Sequence, residues 1–595
     1  SVAAGPAMGV RTVIDGFLAA ATEYPARAAI HDGDRTVSYG ELARLALALA
    51  TRLRAEGVRP GDIVAVAIAR STDLVTALLG VMACGAAYLP VGTGDDIGRT
   101  ASLLHGIGVR LVLLDDPGLA GRFTARSVIM TDLPAASGPE PHRPGLDDAA
   151  YVLFTSGSSG VAKPVVVDHR ALANRIVWGQ RTYPLVPADR VLAHAWAGFD
   201  FSLWEMLAPL QVGAAVVLAG PGAEADPEEL ADLLDRQRIS TVHFVPTMLR
   251  YMVGQQALAN APLRLVLCGG EALHQPLVRE LCAALPDVTV LNQYGPTETC
   301  IDSTAYLCAR EQDDDPAGRV PIGGPIAGTS AYVLDESLQP AADGTPGELC
   351  VGGVGLGWGY LGLPAATAER FVPDPFGLPG TRLYRTGDRV VRHPAGWLDY
   401  LGRLDDQVKV RGVRIEPGEV EAALRGHPDV HDAAVLTVDS ADGVPVLAAA
   451  VVGAATTESL DAHLRRLLPA PFVPSLLAHV DALPRLPSGK VDRVSARPVD
   501  STAAGLAEEE PDVLQVIEQR VAEAWAEVLG VTPAGPADDF FAMGGHSLLA
   551  YQLITRIRKA FDVKIPLRFL FEHRTFGSLV NTVQDRLIEM VTATQ

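Results

Sequence analysis

The sequence predicts an α/β protein in three parts: a large N-terminal α/β unit, a small α/β unit, and an all-α bundle at the C-terminus. Three observations carry this. Strand and helix patterns alternate from the N-terminus to about residue 400, which argues for helices packed on mostly parallel sheets. A shorter alternation resumes after Arg403. The last ~80 residues show helical spacing alone, a length that still permits an independent fold. At 595 residues the chain is too long for one core.

Taken in order, S-x-x-E at 38–41 reads as a capping box opening a helix through Leu42, Leu45, Leu49 and Leu53. Pro60, Gly61 and Asp62 form a turn before a buried strand over 63–68. A helix over 73–84 and a strand over 86–90 follow, then short strands over 109–114 and 127–130. Apolar runs predict further strands over 191–194, 214–218, 241–245, 263–268 and 288–291. Between 348 and 401, short twisted strands are expected, separated by glycines. The small unit has predicted strands over 433–438 and 445–452 and a helix over 459–468. The C-terminal bundle is read from Val513, Val516, Ile517, Val521, Trp525 and Val528, then Leu549, Leu553 and Ile557, then Phe576, Leu579, Val583 and Leu587.

Composition narrows the function. Hydrophobic residues at 48% and charged ones at 20% describe a globular chain. A net charge of −21 disfavours binding to nucleic acid or to an anionic membrane surface, both of which need a basic face. Six scattered cysteines without C-x-x-C spacing suggest buried thiols in a reducing compartment, so the expected location is the cytoplasm. The apolar run 74–89 is too short and interrupted to span a membrane. No secretion signal is read at the N-terminus, and Ser1 suits a processed or excised chain.

The central motif is YVLFTSGSSGVAKP at 151–164. A strand feeds Thr155, Ser156, Gly157, Ser158, Ser159 and Gly160, with Lys163 just beyond. Backbone N–H groups and hydroxyls in such a loop can wrap a phosphate, and the lysine adds positive charge. A polar turn is the bland alternative, and the spacing is not that of a P-loop. NQYGPTE at 292–298 offers Tyr294 for stacking on a flat base, Thr297 for a phosphate oxygen and Glu298 as a hard ligand for Mg²⁺. YRTGD at 384–388 puts Asp388 on a tight glycine turn, suited to ribose hydroxyls. GRLDDQVKVRG at 402–412 is dense in charge, and SGKVDR at 488–493 places Lys490 on a glycine turn. Singly these are turns and surface charges; their order is the stronger signal.

That order, FTSGSSG, FDFSLWE, NQYGPTE, GELCVGG, YRTGD, GRLDDQVKVRG, SGKVDR, resembles the adenylation domains of nonribosomal peptide synthetases, in the adenylate-forming enzyme family. DDFFAMGGHSLL at 538–549 resembles the phosphopantetheine site of a peptidyl carrier protein. The resemblance implies a large adenylation subdomain over 1–402, a small subdomain over 403–498, a linker over 499–511 and a four-helix carrier domain over 512–595. It implies ATP, Mg²⁺ and 4'-phosphopantetheine as cofactors. Thr155 to Lys163 would form the phosphate loop, and Tyr294 would stack on adenine. Thr297 and Glu298 would serve the α-phosphate and the metal, and Asp388 and Arg403 the ribose. Asp405 would be the hinge, and Lys490 would bridge the reacting carboxylate and phosphate. Ser547 would carry the phosphopantetheine arm, although a serine before an apolar helix also reads as an N-cap.

In FDFSLWEM at 199–206, Ser202 and Glu205 read as a second capping box. In the family an aspartate at the position of Asp200 binds an α-ammonium. The family's pocket positions here are Asp200, Phe201, Trp204, His243, Leu267, Gly269, Gln293, Ile301 and Asp302. Their polar groups favour a small polar side chain, serine- or threonine-like, since an apolar one would leave them unpaired. A short diamino acid paired with Asp302 is the next choice, and His243 is alternatively a satisfied core histidine. Gly92, Ala162, Pro164 and Pro417 depart from the family pattern without removing a catalytic group.

The expected activity is ATP-dependent activation of an amino acid followed by thioester loading of the chain's own carrier. An acyl- or aryl-CoA ligase is the alternative enzyme class, and a scaffold with a dead adenylation unit the non-catalytic one. Expected partners are a phosphopantetheinyl transferase, downstream condensation or tailoring enzymes and an MbtH-type accessory protein. The chain reads as a free-standing didomain or a fragment of a longer synthetase.

Overall fold

The computed structural model describes residues 11–92, 97–130, 143–156, 162–220, 227–258, 260–309, 318–405, 407–410, 413–439, 445–469, 472–480, 482–484, 513–529, 531–533, 535–541, 543, 547–561, 563, 565, 569–570 and 573–593. The chain forms two compact units, Ser1–Glu416 and Pro417–Gln595.

In the first unit the described strands build three large sheets and a two-stranded ribbon, Val408–Val410 with Val413–Ile415. A nine-stranded sheet is parallel at its centre, where Ala28–Asp32, Ala215–Leu218, Arg190–Ala193, Thr241–Phe244, Leu265–Cys268 and Thr289–Tyr294 lie side by side. A seven-stranded sheet holds Ile63–Ala67, Ala87–Pro90, Leu111–Leu114 and Arg126–Ile129 in parallel, with Ala149–Thr155 and Lys163–Asp168 as an antiparallel pair. Strands such as Leu111–Leu114 and Leu265–Cys268 are buried along their whole length. Helices cover both faces of such sheets, which is why these strands read as unbroken apolar runs. The helix Tyr39–Ala55 starts where the capping signal puts it, with the Ser38 side chain accepting from the Glu41 N–H. Its neighbour Thr72–Ala83 is buried on nearly every side.

The third sheet is antiparallel and corrects one expectation. The segment 382–392 is a single eleven-residue strand, Arg382–Arg392, rather than pieces broken by glycines. The YRTGD motif is a bulge within it: Cys350 faces Arg385, yet Glu348 faces Arg389. Gly387 takes a φ of +72°, open to glycine at little cost, and this kink re-aims Asp388.

The second unit pairs Val430–Asp439 with Pro445–Gly453 and adds Leu476–His479 in parallel. Its helices there are Pro417–Arg425 and Thr457–Leu467. Helices Val513–Leu529, Ser547–Phe561 and Phe576–Ala593 follow. The predicted linker lies outside the described residues. All six cysteines are free, five are buried and Cys308 is partly so.

The C-terminal bundle is organised by Trp525, which is fully buried and meets Phe540 and Phe576 edge-on at 5.1 and 5.6 Å. Trp525→Ala is expected to cost about 3–5 kcal/mol, lowering the bundle's calorimetric transition in the full chain by on the order of 15 °C. An unchanged transition would show that these rings do not hold the bundle.

Candidate functional site

Parallel strands present their carboxyl ends to one side of the sheet, and in open α/β sheets ligands bind there. His243, Leu267 and Gln293 occupy adjacent strands at that end, with His243 directly opposite Leu267. Gly269 follows one strand, and the turn carrying Ile301 and Asp302 follows another. All nine expected pocket residues are buried.

The pocket walls are in contact with one another. The His243 ring stacks on Phe201 at 3.7 Å, and Phe201 meets Trp204 at 5.2 Å. A Cβ on Gly269 would stand 3.5 Å from His243 Nε2 and 3.1 Å from the Gln293 carbonyl, so glycine keeps that corner open. Among the described residues, three buried polar atoms in this wall have no partner: Asp200 Oδ2, His243 Nε2 and Gln293 Oε1. Burial, with His194 and Arg175 adding to it, holds the His243 imidazole well below its ordinary pKa, so the ring is neutral. Burial also pushes the Asp200 carboxyl up to about 7. The charge of Asp302 adds to this, while the Thr297 hydroxyl opposes it.

Three expectations are affected here. Asp302 already has a cationic partner with which a substrate amine would compete: the buried Arg175 guanidinium donates Nε and Nη2 to its Oδ2 at 2.8 and 2.5 Å. The reading of His243 as a satisfied core histidine is not favoured, since among the described residues its Nε2 lacks a partner. Nor do Ser202 and Glu205 form a capping box: helix Phe201–Leu207 has no side-chain cap at Asp200. The Ser202 hydroxyl donates to the Ala197 carbonyl, and the Glu205 carboxylate accepts from the backbone of His194 and Ala195.

A second cluster lies around Glu298. Thr155 and Lys163 close the hairpin at the base of the expected phosphate loop, and the Lys163 ammonium sits 5.3 Å over the Tyr360 ring. Glu298 is fully engaged: Oε1 accepts from the Tyr360 hydroxyl at 2.8 Å and Oε2 from Arg414 Nη1 at 3.0 Å. Burial alone would raise this carboxyl, but Arg414 and the tyrosine hydroxyls outweigh it and hold it below the ordinary range. The Ser156 hydroxyl donates to the Arg414 carbonyl.

Asp388 accepts from the Tyr294 hydroxyl at 2.5 Å and from Arg403 Nη1 at 3.0 Å. Arg403 also grips Asp405 with two bonds of 2.7 and 2.8 Å. Lys409 lies 5.6 Å over the Tyr294 ring, and burial lowers its pKa. Among the described residues no group of three or more His, Cys, Asp or Glu is placed to hold a metal. Glu298 alone nevertheless suits Mg²⁺, which pairs one or two carboxylates with substrate phosphates and retained waters.

Gly157, Ser158, Ser159, Gly160 and Lys490 lie outside the described residues. Ser547 is the first residue of helix Ser547–Phe561, a place whose N–H groups suit a phosphodiester. Sequence reasoning missed Arg175, Tyr183, Tyr360, Lys409 and Arg414. For Lys409 and Arg414 the available signal was the surplus of cations in and just beyond the charged stretch 402–412.

Residues 17–361 match the AMP-binding enzyme family, 419–490 the AMP-binding enzyme C-terminal domain, and 519–583 the phosphopantetheine attachment site. Phosphinothricin tripeptide synthetase PhsB of Streptomyces viridochromogenes is 41% identical over 576 residues, covering 93% of this chain and 48% of its own. A dimodular nonribosomal peptide synthase of Bacillus subtilis is 38% identical over 569 residues, covering 93% of this chain and 23% of its own. The chain thus spans half or less of these relatives. A solved structure of holo-PA1221, an NRPS protein containing adenylation and PCP domains, superposes with a TM-score of 0.84 at 28% identity, covering 97% of each chain. Among the described residues no helix is long and apolar enough to cross a membrane.

Glu205 generates one test. Burial pushes its carboxyl up to about 8, so the folded chain keeps a proton there that the unfolded chain releases near 4.5. Stability from this group is therefore complete at low pH and lost as pH rises towards 8. Glu205→Gln is expected to weaken that loss, measured as the difference in Tm between pH 6 and pH 9. An identical difference in both proteins would show that Glu205 is ionised in the fold.

Proposed function

The chain belongs to the AMP-binding enzyme family and carries a phosphopantetheine attachment site, the pairing found in nonribosomal peptide synthetase modules, and on that premise we propose that it activates a small polar L-amino acid and loads it on its own carrier. The observation that carries the reading is Asp200, a buried carboxylate with an unpartnered oxygen beside neutral polar side chains. When ionised, such a group is stabilised by a cation. The α-ammonium of an amino acid supplies one, and an aryl or fatty acid does not.

In this reading the amino acid enters with its ammonium on Asp200 and its side chain towards His243 and Gln293. Its carboxylate attacks the α-phosphorus of ATP in line, and pyrophosphate leaves. Lys163, Thr155 and the loop that follows hold the departing phosphates, and Lys490 meets the charge developing between carboxylate and phosphorus. Asp388 and Arg403 hold the ribose, and Tyr294 the base. Glu298 would hold Mg²⁺, which neutralises phosphate charge when bound. For that, Arg414 must release the carboxylate, and Lys409 must leave the Tyr294 ring before a base stacks there. Asp405, freed from Arg403, serves as the hinge between the two half-reactions. Ser547 would bear the phosphopantetheine, whose thiol supplies the nucleophile for thioester formation with release of AMP. A phosphopantetheinyl transferase must install that arm. Condensation or tailoring enzymes and an MbtH-type protein are the further partners, and the cytoplasm is the compartment that supplies ATP and amino acids.

The main test is ATP–pyrophosphate exchange across an amino-acid panel, with intact-mass measurement of the carrier. Exchange without coenzyme A, and Ser547→Ala retaining exchange but losing all covalent loading, are expected. Loading of that variant, or strict dependence on coenzyme A, would refute the proposal. A second test uses pH. Because the free Asp200 carboxyl titrates near 7, amino-acid kcat/KM should fall about tenfold per unit on the acid side. A flat profile from pH 6 to 8 would remove Asp200 from ammonium binding.

A further inference from the structure

Arg175 lies in helix His169–Thr182, which supplies none of the pocket positions and belongs to none of the motifs. Its side chain is 1% exposed. Besides the two bonds to Asp302, its Nη1 donates to the Tyr183 hydroxyl at 2.7 Å, and Gln293 Nε2 donates to the same hydroxyl at 3.1 Å. One guanidinium therefore fixes two pocket side chains, Asp302 directly and Gln293 through Tyr183. The backbone enforces the arrangement. Cys300 and Ile301 take φ of +63° and +70°, a left-handed conformation unfavourable for β-branched Ile301. The turn they form lies on Gly295, where a Cβ would come 2.6 Å from the Asp302 Cα.

We infer that Arg175 is a specificity-determining positioning residue: by occupying Asp302 and orienting Gln293 through Tyr183, it gives the pocket a neutral polar wall that accepts a small hydroxyl-bearing side chain and refuses a cationic one. The inference rests on the amino-acid reading above. With Asp302 engaged, a substrate amine would have to break a buried ion pair or sit unpaired beside a guanidinium. The polar atoms left open, His243 Nε2 and Gln293 Oε1, belong to uncharged groups. A hydroxyl can satisfy them, whereas an aliphatic side chain leaves them bare.

The test uses the full chain in ATP–pyrophosphate exchange with L-serine, L-threonine, L-alanine and L-2,3-diaminopropionate. The wild type should prefer the hydroxy acids. Arg175→Met exposes the Asp302 carboxylate and is expected to raise the diaminopropionate-to-serine ratio of kcat/KM by about tenfold or more, a gain that adding Asp302→Asn abolishes. Tyr183→Phe keeps the ion pair and should shrink the serine-to-alanine preference, with KM moving more than kcat. A common fall for all substrates in Arg175→Met indicates a merely structural role and overturns the inference, as does a wild type that takes the diamino acid as readily as serine. Should Arg175→Met not fold, an unmoved serine-to-alanine ratio in Tyr183→Phe overturns it. Wild-type exchange with no amino acid at all would defeat the proposed function itself. Exchange with unmoved ratios defeats only the role of Arg175.

Discussion

A carboxylate taken out of water must find a cation, collect hydrogen bonds or accept a proton. The site is governed by how five such groups meet that demand. Asp200, Glu205, Glu298, Asp302 and Asp388 are each at most 4% exposed. Asp302 is neutralised by Arg175, Glu298 by Arg414 and Asp388 by Arg403. Glu205 accepts two backbone N–H bonds on one oxygen and takes up a proton, which leaves its other oxygen uncharged. Asp200 is left with an unpartnered oxygen in the pocket wall, and among the described residues no guanidinium pairs with it. In the proposed function, this asymmetry separates the place for an incoming ammonium from the scaffolding around it.

The pairs on the phosphate side differ in kind from the pair behind the pocket. Arg175 and Asp302 are locked by a strained turn and by helix His169–Thr182. Arg414 belongs to a three-residue strand, Val413–Ile415, in a two-stranded ribbon, and among the described residues its Nε has no partner. In the proposed function its partner Glu298 is the carboxylate that would hold Mg²⁺, so ligand binding requires this pair to be exchanged. Nucleotide phosphates and a divalent ion offer the charges for such an exchange: anion for arginine, cation for glutamate.

The sheets were legible because their strands are covered on both faces and therefore appear as apolar runs, as at 111–114 and 265–268. The charged motifs were legible as types and in order. Their geometry was not. YRTGD looked like a turn, yet it is a bulge, because whether a glycine ends a strand or kinks it depends on the partner strand. Glu205 three residues after Ser202 looked like a cap, but two amides from a neighbouring strand end hold it more strongly than the helix terminus. Arg175 could not be read at all: its partner lies 127 residues away, and nothing local distinguishes it from the other arginines of its helix.

The burial of the cysteines has a bearing on the chemistry assigned to the tail. Thiolates, not thiols, attack activated acyl groups. Cys84 is pushed up to about 11 by burial, and Cys300, Cys308 and Cys350 to about 12, so at neutral pH these sulfurs stay protonated. Cys268 is likewise pushed well above the ordinary thiol range by burial, and Cys282 is buried. In the proposed function, where a mixed anhydride is passed to sulfur, these protonated thiols are poor rivals for the acyl group. In that reading, selectivity for the tethered sulfur comes in part from the withdrawal of the chain's own thiols into its core.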